Sequence, residues 1–214
     1  MPRFRIPVIA SEGWKYILFF GILGSLFLFF DPWFSNIVGL LCVLFAGFCF
    51  YFFRDPERTV PKTDDIICPA DGTVLEVVTV EGEGYGVGRV IRIFMSVFDV
   101  HLQRAPVCGT VKSVRYLPGV FLDTRDPRAP FANENNSIMI QSPRGPVMVK
   151  QIAGLLARRI VCWVRENDEL TTGDRIGLIC IGSQVDLYVP SNVDILVKEG
   201  QKVVGGETVI GRWM

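Results

Sequence analysis

The sequence predicts a mainly β protein with an apolar helical hairpin at its N-terminus. Two contrasts in texture carry that prediction. Residues 1–62 hold two long runs without a charge, whereas from Asp64 onward short β-branched runs alternate with Gly, Pro and Asn turns. The second contrast is a repeat near the C-terminal end. Val164-Arg-Glu-Asn-Asp-Glu-Leu-Thr-Thr-Gly-Asp-Arg-Ile176 recurs thirty-three residues later as Val197-Lys-Glu-Gly-Gln-Lys-Val-Val-Gly-Gly-Glu-Thr-Val209. Two equivalent hairpins in one small β domain imply a quasi-two-fold barrel-sandwich arrangement.

The apolar runs cover residues 17–30 and 37–53, separated by Asp31-Pro32. A full helical span needs about 20 apolar residues, so each run is short, and Trp14, Tyr16, Trp33 and Phe34 supply interfacial anchors. Arg3, Arg5 and Lys15 precede the runs, Arg54, Arg58 and Lys62 follow them, and no base lies in the turn. Both ends of the hairpin are therefore expected on the cytosolic side of a cell (inner) membrane, with Arg54 and Arg58 near anionic lipid. A signal peptide starts similarly, but no A-x-A-like site follows Phe30. A buried soluble hairpin would show a polar face, and neither run has one.

The rest, residues 63–214, is expected as a β-rich domain. Its strand-like runs begin at Gly72, Gly88, Gly109, Ser137 and Val147, and residues 179–190 give two more on either side of Gly182-Ser183. Residues 151–159 read weakly as helix. Lys plus Arg and Asp plus Glu both number 22, which argues against a nucleic-acid partner. The six cysteines form no C-x-x-C pair and have no histidine at metal spacing, so neither a metal site nor a disulfide framework is indicated.

Three residues stand out for chemistry. Glycine tolerates strained backbone, and a serine after it can aim its hydroxyl at the preceding carbonyl. A bulge or tight bend explains an isolated Gly-Ser pair equally well. At a strained turn, however, attack by Ser183 on Gly182 shifts the acyl group from nitrogen to oxygen. Elimination of that ester and hydrolysis then leave a pyruvoyl group at a new amino terminus. Such a ketone condenses with an amine and accepts electrons as CO2 departs, as pyridoxal phosphate does elsewhere. That self-cleavage needs a base. His101, the only histidine, is either structural or that base. Asp71 is either part of an ordinary Asp-Gly turn or the carboxylate that orients His101.

The repeat resembles biotinyl and lipoyl carrier domains, in which the modified lysine falls nine residues beyond the Gly-Asp aspartate. Nine residues beyond Asp174 is Ser183, which excludes lysine attachment there. A non-enzymatic, membrane-tethered carrier or adaptor of lipoyl-like fold is the reading this leaves open. A more extensive resemblance covers nearly the whole chain. It runs through Tyr51-Phe-Phe-Arg-Asp-Pro-Glu-Arg58, Cys68-Pro-Ala-Asp-Gly72, Phe94-Met-Ser-Val-Phe-Asp-Val-His101 and Tyr116-Leu-Pro-Gly119. Glu134-Asn-Asn136, Gln151-Ile-Ala-Gly-Leu-Leu-Ala-Arg-Arg159 and Gly182-Ser183 complete it. On these motifs the chain resembles the short, membrane-associated phosphatidylserine decarboxylases, a pyruvoyl-dependent family.

The resemblance implies a zymogen that cleaves itself between Gly182 and Ser183. Chain 1–182 pairs with chain 183–214, and Ser183 becomes the covalent pyruvoyl cofactor. It further implies decarboxylation of phosphatidylserine to phosphatidylethanolamine, with Ser183, His101 and Asp71 as catalytic residues and no metal. An archaetidylserine-type lipid with the same head group fits equally, and a homo-oligomer is left open. Longer members carry D-Y-H-x-x-H-x-P, with the triad histidine second. Here Arg104 stands at that place and His101 at the first, so His101 serves both steps or another base acts, and His101 is taken as the base. Gln184 stands where members carry Arg, Ser or Thr, and Val120 where a basic residue is expected. Arg104, Arg158 and Arg159 are the candidates for the substrate phosphate, since arginine forks match phosphate oxygens.

Overall fold

Both uncharged runs fold as helices, α1 (Trp14–Leu28) and α2 (Trp33–Phe52), with Pro32 in extended conformation capping the second. The computed structural model describes residues 9–30, 32–82, 86–124, 126–155, 159–180 and 183–214. It divides into two compact units, residues 1–57 and 58–214. In the first unit the helices cross where two glycines meet. A Cβ on Gly24 would stand 2.9 Å from the Gly39 carbonyl oxygen, and one on Gly39 would stand 2.9 Å from that of Gly24. Small residues allow this approach, which Ser35 Oγ reinforces by donating to the Phe27 carbonyl at 2.7 Å. Outward-facing side chains such as Phe19, Ile22, Leu41 and Leu44 remain exposed. By length and composition α2 is able to cross a membrane, whereas α1, at 15 residues, is shorter than a span.

The second unit is mainly β, as expected. Its elements are β1 (Ile66–Ile67), β2 (Gly72–Gly82), β3 (Gly86–Met95), β4 (Leu102–Arg104), β5 (Gly109–Leu117) and a short α3 (Ala129–Ala132). Then come β6 (Asn135–Ser142), β7 (Gly145–Ala153), β8 (Ile160–Cys162), β9 (Glu169–Leu170) and β10 (Arg175–Ile179). The chain ends with β11 (Ser183–Pro190), β12 (Val193–Ile195), β13 (Lys202–Val203) and β14 (Val209–Trp213). Eight strands form one antiparallel sheet in the order β13-β2-β3-β11-β7-β6-β5-β9, and β4-β10-β8 and β1-β14-β12 form two smaller ones. One face of the large sheet builds the core: Ile91, Ile93 and Met95 from β3, Val185, Leu187 and Val189 from β11, Val147 and Val149 from β7. Their period of two buries alternate residues and sends the others to the second face.

The repeat read from the sequence is a structural repeat. Asn167 and Gly200 occupy matching left-handed positions (φ 70° and 78°), as do Gly173 and Gly206 (90° and 83°). The backbone bonds match as well. Asn167 N–H donates to Val111 at 2.8 Å and Gly200 N–H to Val74 at 2.8 Å, while Gly173 reaches Ala105 and Gly206 reaches Cys68, both at 2.9 Å. Each copy thus docks on a Gly-Thr-Val strand start, Gly72-Thr-Val74 or Gly109-Thr-Val111. Both of those strands carry a bulge directly after the valine.

One expectation changes. Residues 151–153 are not helical but complete β7, because Gln151, Ile152 and Ala153 pair with Val185, Gln184 and Ser183 of β11. Pairing in the sheet interior outweighs a weak local helical tendency. The compact units part at Glu57 and Arg58, within the basic linker that follows the hairpin.

Candidate active site

Six strands of the large sheet present an end to the same side of the molecule. There β11 begins at Ser183, opposite Met95, the last residue of β3, and Ala153, the last of β7. At that end also β6 begins at Asn135, β5 finishes at Leu117 and β2 begins at Gly72. Gly72 abuts the backbone of Phe94, whose carbonyl oxygen lies 2.2 Å from where a Cβ would be. Asp71 therefore sits at the same end as Ser183, two strands away, or about 10 Å at the usual spacing.

Ser183 is fully buried, and its Oγ donates to the Met95 sulfur at 3.5 Å, a soft acceptor. Gly182, its expected cleavage partner, lies outside the described residues. His101 is also fully buried, with Nδ1 3.0 Å from the Asp99 carbonyl oxygen. A carbonyl only accepts, so Nδ1 carries a proton, and in the neutral ring that leaves the lone pair on Nε2, the form a base requires. The histidine backbone is fixed to β10, since Ile179 N–H donates to the His101 carbonyl at 3.1 Å. A relay of buried amides holds it too. Asn136 Nδ2 donates to Gln151 Oε1 (2.9 Å), Gln151 Nε2 to Gln103 Oε1 (2.8 Å), and Gln103 Nε2 to the His101 carbonyl (2.8 Å). Gln103 also reaches the Met95 sulfur at 3.7 Å, so one thioether touches both the serine and the relay. Buried amides with satisfied partners hold a unique arrangement.

Asp71 shares the sheet end but is not hydrogen-bonded to His101. Its Oδ2 accepts from Arg58 Nη2 at 2.7 Å and its Oδ1 from the Gly205 N–H at 2.8 Å. Arg58 is consequently turned inward, with 12% of its side chain exposed, rather than presented to lipid. Arg104 is buried and donates to the Gly173 carbonyl at 3.1 Å, so it fastens one copy of the repeat. Arg159 is exposed, and Arg158 lies outside the described residues. Arg54 donates to the Tyr51 carbonyl and stacks over that ring.

The second face of the sheet holds charges that no sequence spacing announced. Across β2, β3, β11 and β7 the facing residues Glu76, Arg92, Asp186 and Lys150 alternate in sign. Arg92 pairs with Glu76, and its Nε lies 3.6 Å from Asp186 Oδ2. Gln184, the residue after Ser183, donates to Asp186 Oδ1 at 2.6 Å. Burial pushes the Asp186 carboxyl up to about 6, outweighing the Gln184 hydrogen bond and the Arg92 charge that pull it down. Burial likewise lowers the Lys150 ammonium. A cleft of roughly 320 Å³, lined by Glu76, Arg92, Thr124, Asp126 and Gln184 among others, opens beside this row. The buried Gln184 Oε1 has no hydrogen-bond partner among the described residues.

Gln103, Gln151, Asn136 and Met95 were not singled out one by one from the sequence. All but Gln103 sit in motifs that carried the resemblance, and Gln103 lies two residues beyond one of them. What was missing was the knowledge that four separate segments touch.

A buried serine, a buried histidine and an aspartate at the serine's sheet end are residue types that can serve as nucleophile, base and orienting carboxylate. Residues 45–211 match the family model described as phosphatidylserine decarboxylase. Over 209 residues the chain is 44% identical to a protein of Geobacter sulfurreducens named phosphatidylserine decarboxylase proenzyme, and the match covers 95% of each chain. The chain belongs to the phosphatidylserine decarboxylase family and is a carboxy-lyase.

Proposed function

We propose that this chain is a self-processing decarboxylase that converts phosphatidylserine to phosphatidylethanolamine at the cytosolic face of the inner membrane, in phospholipid biosynthesis. The observation that carries the reading is the position of Ser183: buried, first in its strand, and against the Met95 sulfur, which also meets the Gln103 amide that holds the His101 backbone. Gly182-Ser183 is the bond that breaks. The residues present fit a pyruvoyl group derived from Ser183, since the hydroxyl that forms it meets the Met95 thioether and is held away from water. Once formed, that group supplies a ketone that takes up the substrate amine and the electron pair released as CO2 leaves.

The chain's own residues do the rest. His101, with its proton on Nδ1, offers Nε2 to remove the Ser183 hydroxyl proton, and its fixed backbone limits the search for that geometry. Asp71 is the third member of the processing site. In the arrangement described its charge is balanced by Arg58, so it orients His101 only when that pair opens. Arg159 is the phosphate candidate exposed at the surface near the site. Residues 1–182 and 183–214 stay together after cleavage because β11 is hydrogen-bonded on both sides, to β3 and β7.

Denaturing electrophoresis, intact-mass measurement and borohydride trapping of bound substrate test this. Wild type yields two chains and traps substrate, whereas Ser183→Ala stays at 24.0 kDa and traps nothing. His101→Ala processes more slowly, and rapid, complete cleavage in that variant removes histidine from the step. Active protein with an unbroken chain through residues 182 and 183 overturns the proposal.

A further inference from the structure

We propose that Asp186 is a positioning residue for self-cleavage: its ionised carboxylate, acting through Gln184 on the second face of the large sheet, sets the backbone at Ser183. This rests on the reading above that the Gly182-Ser183 bond breaks.

Ser183 and Gln184 point to opposite faces of β11, the serine toward Met95 and the core, the glutamine toward the row of charges. Gln184 and Asp186 are two residues apart and share a face, and Gln184 Nε2 donates to Asp186 Oδ1 at 2.6 Å. The bond is short, as hydrogen bonds to a charged acceptor are. It fastens the side chain next to the reacting serine to the interior of the strand. One backbone carries both side chains, so anchoring Gln184 fixes the Ser183-Gln184 peptide and with it the direction of the serine Oγ. A misplacement of about 1 Å at a reacting group can cost roughly a hundredfold in rate.

Packing alone does not account for this row. Asp186 is fully buried, and burial raises its carboxyl to about 6. The charges that face it are Arg92 of β3 and Lys150 of β7, with Glu76 of β2 beyond Arg92. Both bases are engaged elsewhere: Arg92 Nη1 donates to Glu76, and Lys150 Nζ donates to the Pro130 carbonyl at 2.7 Å. Asp126 and Glu199 line the adjoining cleft, and Asp126 is itself paired with Arg128. Among the described residues, four buried side-chain polar atoms have no hydrogen-bond partner, and three of them are Arg92 Nε, Gln184 Oε1 and Asp186 Oδ2. Buried polar atoms are satisfied almost everywhere, and local rules are broken chiefly at functional sites. Well-packed apolar residues at 184 and 186 would hold this face together at least as well. The carboxylate therefore serves Ser183 rather than the fold.

Asp186→Asn keeps the shape and the acceptor atom but not the charge. Full-length chains are made by cell-free translation, and the appearance of the two fragments is followed on denaturing gels across a range of pH. Asp186→Asn should cleave roughly tenfold more slowly than wild type at about pH 8, where the carboxylate is charged, and the gap should close toward about pH 5, where it is protonated. His101 is present in both proteins and cancels in the ratio. Gln184→Met removes the donor at nearly constant volume, and adding Asp186→Asn to it should slow cleavage no further, since Asp186 acts through that amide. Urea midpoints in a Ser183→Ala background separate positioning from folding: Asp186→Asn should be at least as stable as its parent at about pH 7 while cleaving more slowly. Equal cleavage at about pH 8, a deficit that does not change with pH, additive effects in the double variant, or slow cleavage that follows lost stability overturns the inference. A wild type that never cleaves overturns the decarboxylase reading and this inference with it, whereas normal wild-type cleavage with any of those results overturns this inference alone.

Discussion

Asp186 is fully buried three residues from Ser183, with Gln184 on one oxygen and Arg92 beyond hydrogen-bonding distance of the other. A carboxyl raised from 3.8 to about 6 by burial binds its proton more tightly in the folded chain than in the unfolded one. Its effect on stability therefore has a definite sign. The folded state is unpenalised below about pH 4, loses stability as pH rises from about 4 to 6, and carries the full cost above that. The shift is worth about 3 kcal/mol at 1.36 kcal/mol per unit. Asp186→Asn in a Ser183→Ala background should thus be near neutral at pH 4 and stabilising at pH 7, as measured by urea denaturation at both values. Equal midpoints at pH 7 would show that Arg92 and Lys150 compensate the buried charge. Ser183 and His101 were legible as residues because their chemistry is intrinsic to the side chain. The tautomer of His101 was not, because it is set by the carbonyl of Asp99, and a backbone contact leaves no mark on composition.

At the scale of elements, the helix pair depends on two glycines. Leucine at position 39 would drive a Cβ to within 2.8 Å of Leu28 Cγ and 2.9 Å of a backbone oxygen, and overpacking of this kind costs about 1–3 kcal/mol. Gly47 on the same helix has nothing within 4 Å of its would-be Cβ. Gly39→Leu should accordingly speed amide hydrogen exchange in α1 in detergent micelles, while Gly47→Leu leaves it unchanged. Wild-type exchange in Gly39→Leu would place the helix crossing elsewhere. The apolar runs announced the helices because each lacks both charge and a polar face. They did not say which glycine lies at the crossing, since that depends on the rotation of one helix about the other. The misread segment at residues 151–153 shows the complementary limit. Its local pattern was neutral, and pairing with β11 decided the matter.

Over the whole molecule the repeated hairpins and their two strand starts form one quasi-symmetric frame. Gly72 and Gly109 are equivalent in it: a Cβ on either would lie 2.2 Å from a backbone carbonyl oxygen, of Phe94 or of Gln141. Gly72→Ala and Gly109→Ala should destabilise by similar amounts, on the order of a few kcal/mol, through forced backbone shifts. Only Gly72, which adjoins Asp71, should also slow self-cleavage. Thermal unfolding compared with a time course of chain cleavage checks both parts, and equal processing in the two variants would detach Asp71 from the site.

Periodicity, turn residues and the thirty-three-residue repeat were enough to determine a mainly β chain with an apolar hairpin, because local steric preference and hydrophobic alternation are written residue by residue. The motif residues determined the family in the same way. Only the tertiary structure decided that Asp71 holds Arg58, that Arg104 serves a repeat turn, and that Met95 and three buried amides position the histidine. It also set Glu76, Arg92, Asp186 and Lys150 side by side. Those contacts depend on which segments become neighbours, and the sheet register that creates most of them is a property of the packed core rather than of any one segment.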